Sequence, residues 1–333
     1  MKKSLCLIGF TVGLAGLAVT GALAQVPGIQ LVSTFDYPGR DNQTRPQKIS
    51  DKNDITGIYV DSTGVSRGFI FYAGATPPHF SNPLVDPSDN SGLTEARGIS
   101  NQRVVCGDYF DATTGTYHGF FYIHGHFQNF DLSQSTSTLI LGINNARDFA
   151  GSVLPNGGIQ EGFLTIGGTA TKFAVTGATN TLDYQLNSTD QSCGYYIDSS
   201  GVDHGFWRDT NGTVNAPIDP VGSVQTILFG NNDGNQMVGR YVDGSGATHG
   251  ILFIPSAGAF VVYDYPGATF TSLNGINKYG MIVGRYTDAS GIDHGIILQV
   301  TRTSGPTVTL PLAPASEPAD EAPQSAAFVP AAY

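Results

Sequence analysis

One pattern recurs six times along this chain, and it leaves the fold little freedom. In its last copy, Phe260 to Val300, it reads FVVYDYPGATFTSLNGINKYGMIVGRYTDASGIDHGIILQV. Phe260 to Tyr265 is aromatic and β-branched and is stopped by Pro266-Gly267, as a strand is. Ser272 to Asn277, Met281 to Tyr286 and His294 to Val300 read as three further strands. Lys278-Tyr279-Gly280 and Asp288-Ala289-Ser290-Gly291 are the tight turns between them, with Gly280 placed for a positive φ. No stretch shows a helical period. A unit of about 40–45 residues with four short strands is the mark of a propeller blade.

The copies keep their register. The glycine of the last strand falls at Gly68, Gly119, Gly162, Gly205, Gly250 and Gly295, at intervals of 51, 43, 43, 45 and 45 residues. Strands of the Phe260 type begin near Leu31, Phe80, Phe127, Phe173, Val214 and Phe260. The first precedes every other strand, and nothing of its kind follows the last unit. Pairing Leu31–Tyr37 with His294–Val300 completes that unit. The expectation is therefore an all-β, six-bladed β-propeller of four-stranded antiparallel blades, closed by the N-terminal strand pairing with the last blade. A β-solenoid is the competing architecture, but an open stack needs end caps, and none is visible.

The ends differ from the repeats. Met1 to Ala24 has Lys2-Lys3, an apolar run and Ala22-Leu23-Ala24 before Gln25, the form of a signal peptide. Export to the periplasm or beyond is expected, with a soluble product. Residues 25–300 form the single repeat domain. Residues 301–333, rich in Pro and Ala from Gly305 on, read as a disordered tail. The net charge of −11 becomes −13 without Lys2 and Lys3, which argues against nucleic acid or an anionic membrane as partner. No other segment could span a bilayer, and a monomer is expected. Cys106 and Cys193 hold equivalent positions in units two and four, too far apart to bridge, so both should be buried free thiols.

Asp and His recur as pairs: Asp198 with His204, Asp243 with His249, Asp288 with His294, and Asp111 with His118 one residue further apart. Unit one has Asp61 with Arg67. Each pair brackets an x-x-Gly turn, so the partners should face each other across a hairpin. A His–carboxylate dyad serves acid–base chemistry or metal binding. The structural reading is preferred. Five equivalent dyads around one ring exceed what an enzyme needs, and unit three loses both members together, with Glu161 in the cation's place. Tyr59, Tyr109, Tyr196, Tyr241 and Tyr286 lie two residues before each Asp, expected opposite Phe69, Phe120, Phe206, Ile251 and Ile296. They read as packing, with an aromatic sugar platform as the alternative. Asn231-Asn232-Asp233-Gly234 and Asp51-Lys52-Asn53-Asp54 resemble pieces of calcium loops without a closing Glu. No nucleophile elbow, phosphate loop or zinc spacing occurs, so no catalytic, metal-binding or cofactor residues are assigned. Asn187-Ser188-Thr189 and Asn211-Gly212-Thr213 match the glycosylation pattern.

At GINKYGMIVGRYTDASGIDHGII and GINNARDFAGS…EGFL the chain resembles the bacterial "extracellular repeat, HAF family" proteins, across about residues 31–300. This chain carries HGFF, HGFW, HGIL and HGII where the family name implies His-Ala-Phe. The resemblance implies an exported repeat protein and supplies no catalytic residues. The leading functional expectation is a non-catalytic scaffold that binds a glycan or protein on one face. Two loop sets, the Asp-x-x-Gly turns and the Pro-Gly-Ala-Thr type connections, share that face. The site should lie near the degenerate unit three and the insertion from Gly74 to Thr94. A propeller enzyme of lactonase or polysaccharide-lyase type and a surface or matrix component are the rivals. The enzyme would need unlike residues from different units to converge on the channel.

Overall fold

The computed structural model describes residues 27–39, 43–302 and 308–314. The leader and most of the tail lie outside these residues. The chain opens with β1 (Gly28–Phe35). Unit one follows as β2 (Gln43–Ile49), β3 (Asp54–Val60), β4 (Ser66–Tyr72) and β5 (His79–Phe80). Unit two is β6 (Thr94–Ile99), β7 (Val105–Asp111), β8 (Thr116–Ile123) and β9 (His126–Phe130). Unit three is β10 (Ser135–Ile143), β11 (Phe149–Pro155), β12 (Glu161–Ile166) and β13 (Thr169–Phe173). Unit four is β14 (Asn180–Leu186), β15 (Ser192–Ile197), β16 (Asp203–Arg208) and β17 (Val214–Ile218). Unit five is β18 (Ser223–Asn231), β19 (Met237–Asp243), β20 (Thr248–Ile254) and β21 (Ala259–Tyr263). Unit six is β22 (Phe270–Ile276), β23 (Met281–Thr287) and β24 (Asp293–Thr301), and β25 (Val308–Pro311) comes last.

The fold is an all-β propeller, and the N-terminal strand closes it. β1 runs antiparallel to β24, with Leu31 opposite Leu298 and Thr34 opposite Ile296. The first strand of each unit touches the first strand of the next, and β22 returns to β2. The expectation of six separate four-stranded blades is corrected. Units one to four each form their own four-stranded sheet, whereas the remaining strands form a single nine-stranded sheet. Two features cause this. A parallel bridge from Thr248 to Phe270 joins the strands of unit five to those of unit six. β25 then adds to the outer edge of β21. The Ser66–Leu93 and Gln160–Asn180 seams carry parallel bridges too, but isolated ones outside the named strands.

β25 also corrects the reading of 301–333 as tail throughout. Leu310 and Leu312 pack against a cluster that includes Phe260, Ile218 and Met237. The segment is held on its other side as well, by Val221 N–H donating to Pro311 O and Ala313 N–H donating to Asp219 O. Two well-placed leucines and a free sheet edge outweigh the polar composition around them.

The repeat glycines follow from the packing. Every first strand carries a bulge at the same level, for example between Ala96 and Gly98 and between Leu228 and Gly230. A bulge brings the first strand's carbonyls onto the second strand. A Cβ at Gly107 would run into the carbonyl oxygen of Glu95, and one at Gly119 would lie 2.6 Å from Ile140 Cγ1 in the next unit. The seams between units hold most of the core. Phe69, Phe120, Phe163 and Phe206 are fully buried there, each contributing about 1.5–3 kcal/mol. Cys106 and Cys193 are buried and unbridged, and burial pushes both thiols up.

Candidate functional site

The turns between first and second strands form one mouth of the central channel. Asn144, Asn187, Asn232 and Asn277 are buried there, with Ser50 and Ser100 in the same place in units one and two. Each Asn closes its own turn and grips the next unit. Asn277 Oδ1 accepts from Tyr279 N–H and Met281 N–H, both at 3.0 Å. The side-chain amides of Asn144, Asn187, Asn232 and Asn277 donate to the carbonyls of Asn187, Asn232, Asn277 and Ser50, at 3.1–3.2 Å. Serine is too short to do the same. At those seams the next residue takes over: Asp51 N–H donates to Asn101 Oδ1, and Asn101 N–H to Asn145 Oδ1, both at 2.8 Å. Between them the two tiers cross every seam. The motif's Asn is thus a fastener, and Asn187, buried and bonded, is no glycosylation acceptor in the folded chain. The positive φ expected at Gly280 is present, and Asn53, Arg103, Arg147, Asp190 and Asn235 adopt it at the same turn position.

The channel itself is filled by side chains, and unevenly. Leu139, Leu141, Leu182, Tyr184, Ile227 and Phe229 from units three to five meet as one apolar cluster. Units six, one and two place charges beside this cluster on their first, second and third strands, and unit five adds Arg240. Arg97 is held by Glu95 and, at 3.0 Å, by Asp108, all three at most 1% exposed. Asp293 Oδ2 accepts from Arg45 Nε at 2.7 Å and from Arg285 at 2.8 Å. The Arg285 and Arg240 guanidinium groups lie 4.7 Å and 5.4 Å from the Phe270 ring. Burial pulls Arg285 down to about 9 against the pull of Asp293. Lys48 reaches across the channel to Phe229 O at 2.6 Å and Asn274 O at 3.4 Å, and burial lowers it to about 8. Asp183 is the exception in the apolar half. It takes the place that Ile140, Leu228 and Leu273 hold in other units. Both its oxygens lack a hydrogen-bond partner, and burial raises it well above the usual carboxylate range.

The predicted Asp–cation residues lie on the opposite face. Asp61 holds Arg67 at 2.8 Å. Asp198 meets His204 at 3.4 Å, Asp243 meets His249 at 3.3 Å, and Asp288 meets His294 at 3.5 Å. Asp111 does not reach His118: the inserted residue turns it to Asn90 Nδ2 at 2.7 Å. In none of the pairs are the partners directly opposite. The register sets Tyr59 opposite Arg67 and Tyr109, Tyr196, Tyr241 and Tyr286 opposite the histidines, not opposite the Phe and Ile residues expected. Those four tyrosines stack on their histidines with ring centres 4.9–5.3 Å apart.

A second carboxylate, not anticipated, takes each histidine's Nδ1. Asp36 binds His294 at 2.8 Å, Asp131 binds His118 at 2.9 Å, Asp219 binds His204 at 2.6 Å and Asp264 binds His249 at 2.9 Å. The Asp219 bond raises His204 above its ordinary value. The sequence carried a signal: each of these Asp residues follows the outer strand directly, and unit three has Ala174 there, so it lacks all three members. No group of three or more His, Cys, Asp or Glu is placed to hold a metal among the described residues.

The same face opens into a cavity of about 420 Å³ at the seam of units one and two. Arg45, Val60, Ser66 and Phe110 line it together with Ser91 and Leu93 from the insertion. The insertion is pinned on both sides, by Ser66 N–H donating to Gly92 O at 2.8 Å and Phe110 N–H donating to Leu93 O at 3.1 Å. Unit three, the other expected neighbour, contributes nothing to the lining. Among the described residues, no helix is long and apolar enough to cross a membrane.

No family model matches the chain, and no curated protein matches it. Solved structures similar to it include a mutant of the Aleuria aurantia lectin, at 13% identity and a TM-score of 0.49, over 84% of this chain and 98% of that one. The β-propeller domain of the Trilobed protease from Pyrococcus furiosus is 8% identical at a TM-score of 0.45, over 79% and 98%. The BP39L lectin from Burkholderia pseudomallei is 13% identical at a TM-score of 0.43, over 84% and 97%.

Proposed function

We propose that this protein is an exported, non-catalytic propeller of the extracellular HAF-repeat kind that binds a glycan in the cavity between units one and two. The observation that carries the reading is that cavity. Its size suits one or two sugar rings. It breaks the symmetry of the ring, and the one long insertion builds its wall. Phe110 and Leu93 offer apolar faces, while Ser66, Ser91 and Arg45, the last already paired with Asp293, give the lining its polar part. The His–carboxylate groups stay structural in this reading, because each imidazole is already engaged by carboxylates on one or both sides.

A glycan array probed with the mature chain tests the proposal, followed by calorimetry on the best saccharide. Binding is expected, and Phe110→Ala and Leu93→Ala should weaken it at least tenfold while leaving the melting temperature within a few degrees. An array with no saccharide bound, or a saccharide indifferent to both variants, would overturn it. The export part is tested by sequencing the N-terminus of protein recovered outside the cytoplasm, expected to start at Gln25.

A further inference from the structure

The seam between units three and four departs from its neighbours at one level. Between units four and five, Leu228, Met237 and Phe253 join Tyr241, Ile251 and Cys193 in a single apolar cluster. Between units two and three, Ile140 and Phe149 belong to a single cluster with Cys106. In unit four the places of Leu228, Met237 and Phe253 are taken by Asp183, Ser192 and Arg208. The apolar contact is cut in two as a result, with Ala150, Leu164 and Leu186 in one cluster and Tyr196 and Phe206 in another. Asp183 and Ser192 are fully buried, and both carboxyl oxygens and the Ser192 hydroxyl have no hydrogen-bond partner. Arg208 does not answer them, since its guanidinium lies 5.9 Å from the centre of the Phe173 ring and makes no bond to Asp183. A carboxyl so placed keeps its proton and ionises only when water reaches it.

We propose that the ring opens first at this seam, and that Asp183 couples the opening to pH. In the closed ring burial raises Asp183 well above the usual carboxylate range, and the distant Arg208 charge offsets little of that. In the opened seam the carboxyl meets water and returns to its ordinary value of about 4. The open form therefore binds fewer protons, and it gains ground as pH rises from about 4 toward the closed-state value. The other titratable group beside Asp183 is the Cys193 thiol on the adjoining strand, which burial keeps neutral. Unit three presents Ala150 and Leu164 to the seam, and neither carries a charge. The closure of β1 on β24 takes no part in this opening.

The chain carries its own reporters. Cys106 and Cys193 hold one repeat position, in the seams of units two and three and of units four and five, and Ala150 holds it in this seam. Ala150→Cys therefore puts a third thiol at the equivalent place. Alkylation of the mature full chain by a maleimide, read for each thiol by peptide mass spectrometry, tests the proposal. A short thiol peptide corrects for the reagent's own pH dependence. The introduced thiol should react at least tenfold faster than Cys106 and Cys193, and its corrected rate should rise at least tenfold between about pH 5 and about pH 8. Asp183→Asn, which cannot ionise, should abolish that rise. Hydrogen exchange of the Thr181 amide, which donates to Gln160 O at 2.9 Å across the same seam, gives the same readout in the unsubstituted chain. An introduced thiol that reacts no faster than Cys106 and Cys193, a Thr181 protection that does not fall with pH, or a pH response that survives Asp183→Asn would overturn the proposal.

Discussion

The two halves of the channel solve the same packing problem in opposite ways. In units three to five the positions facing the axis are Leu139, Leu141, Leu182, Tyr184, Ile227 and Phe229, and they form a dry core. In units one and two the same first-strand levels carry Arg45, Glu95 and Arg97; Arg45 pairs with Asp293, which also holds Arg285, and Arg97 pairs with Glu95 and Asp108. The apolar half gains its stability from burial, with Asp183 and Arg240 as its buried charged exceptions. The charged half must satisfy every group it buries, and it gains little net stability from doing so. What it gains is difference. The cavity between units one and two and the insertion lie on its side, and the Ser50 and Ser100 departures from the Asn fastener fall there too.

Exchanging features between the halves tests this contrast. The largest effect is expected for Arg97→Met, which leaves Glu95 and Asp108 buried without their cation. A loss of about 3–5 kcal/mol in urea unfolding is predicted. Replacing Glu95, Arg97 and Asp108 together by the unit-three residues Leu, Leu and Ser should restore most of that loss. Lys48 comes next. Its pKa falls on folding, so the folded chain gives up the proton first, and its contribution to stability rises with pH between about 8 and the unfolded value of 10.5. Lys48→Met should flatten that stretch of the stability profile by about 3 kcal/mol relative to wild type. Asp183→Leu copies Leu228 and Leu273 and should stabilise the protein by about 1–3 kcal/mol at neutral pH. Because folding raises the Asp183 pKa, wild type loses stability as pH climbs above about 4, so the gap between the two should widen in that direction. The smallest effect is expected for Asn232→Ser, which imports the unit-one residue and gives up the bond to Asn277 O, at about 1 kcal/mol in thermal unfolding.

Much of the fold was legible because it is written six times. The inner strand positions, the closing pair of β1 and β24 and the free thiols follow from residues that hold the same place in each unit, whereas the outer strands of units one and three end at Phe80 and Phe173, where the sequence pattern starts them. The fused nine-stranded sheet was not legible, since a bridge between Thr248 and Phe270 depends on how closely two seams approach. β25 was hidden by its flanks: Leu310 and Leu312 are two apolar residues in a Pro- and Ala-rich stretch. The charged half of the channel was missed for the opposite reason. Arg45, Glu95 and Arg97 sit where the repeats disagree, and attention to shared letters passes over such positions. The second carboxylates at Asp36, Asp131, Asp219 and Asp264 were readable in principle, as a shared letter after four of the six outer strands.

The ring depends on the seam where the first strand of the chain meets the last unit. Hydrogen–deuterium exchange resolved to single amides tests it most directly. The alternate β1 amides that point at β24 should exchange as slowly as those in the middle of β23, in one cooperative opening of the whole ring. Exchange of those amides at loop rates, while β23 stays protected, would mean that β1 is not part of the closed structure and would contradict the account.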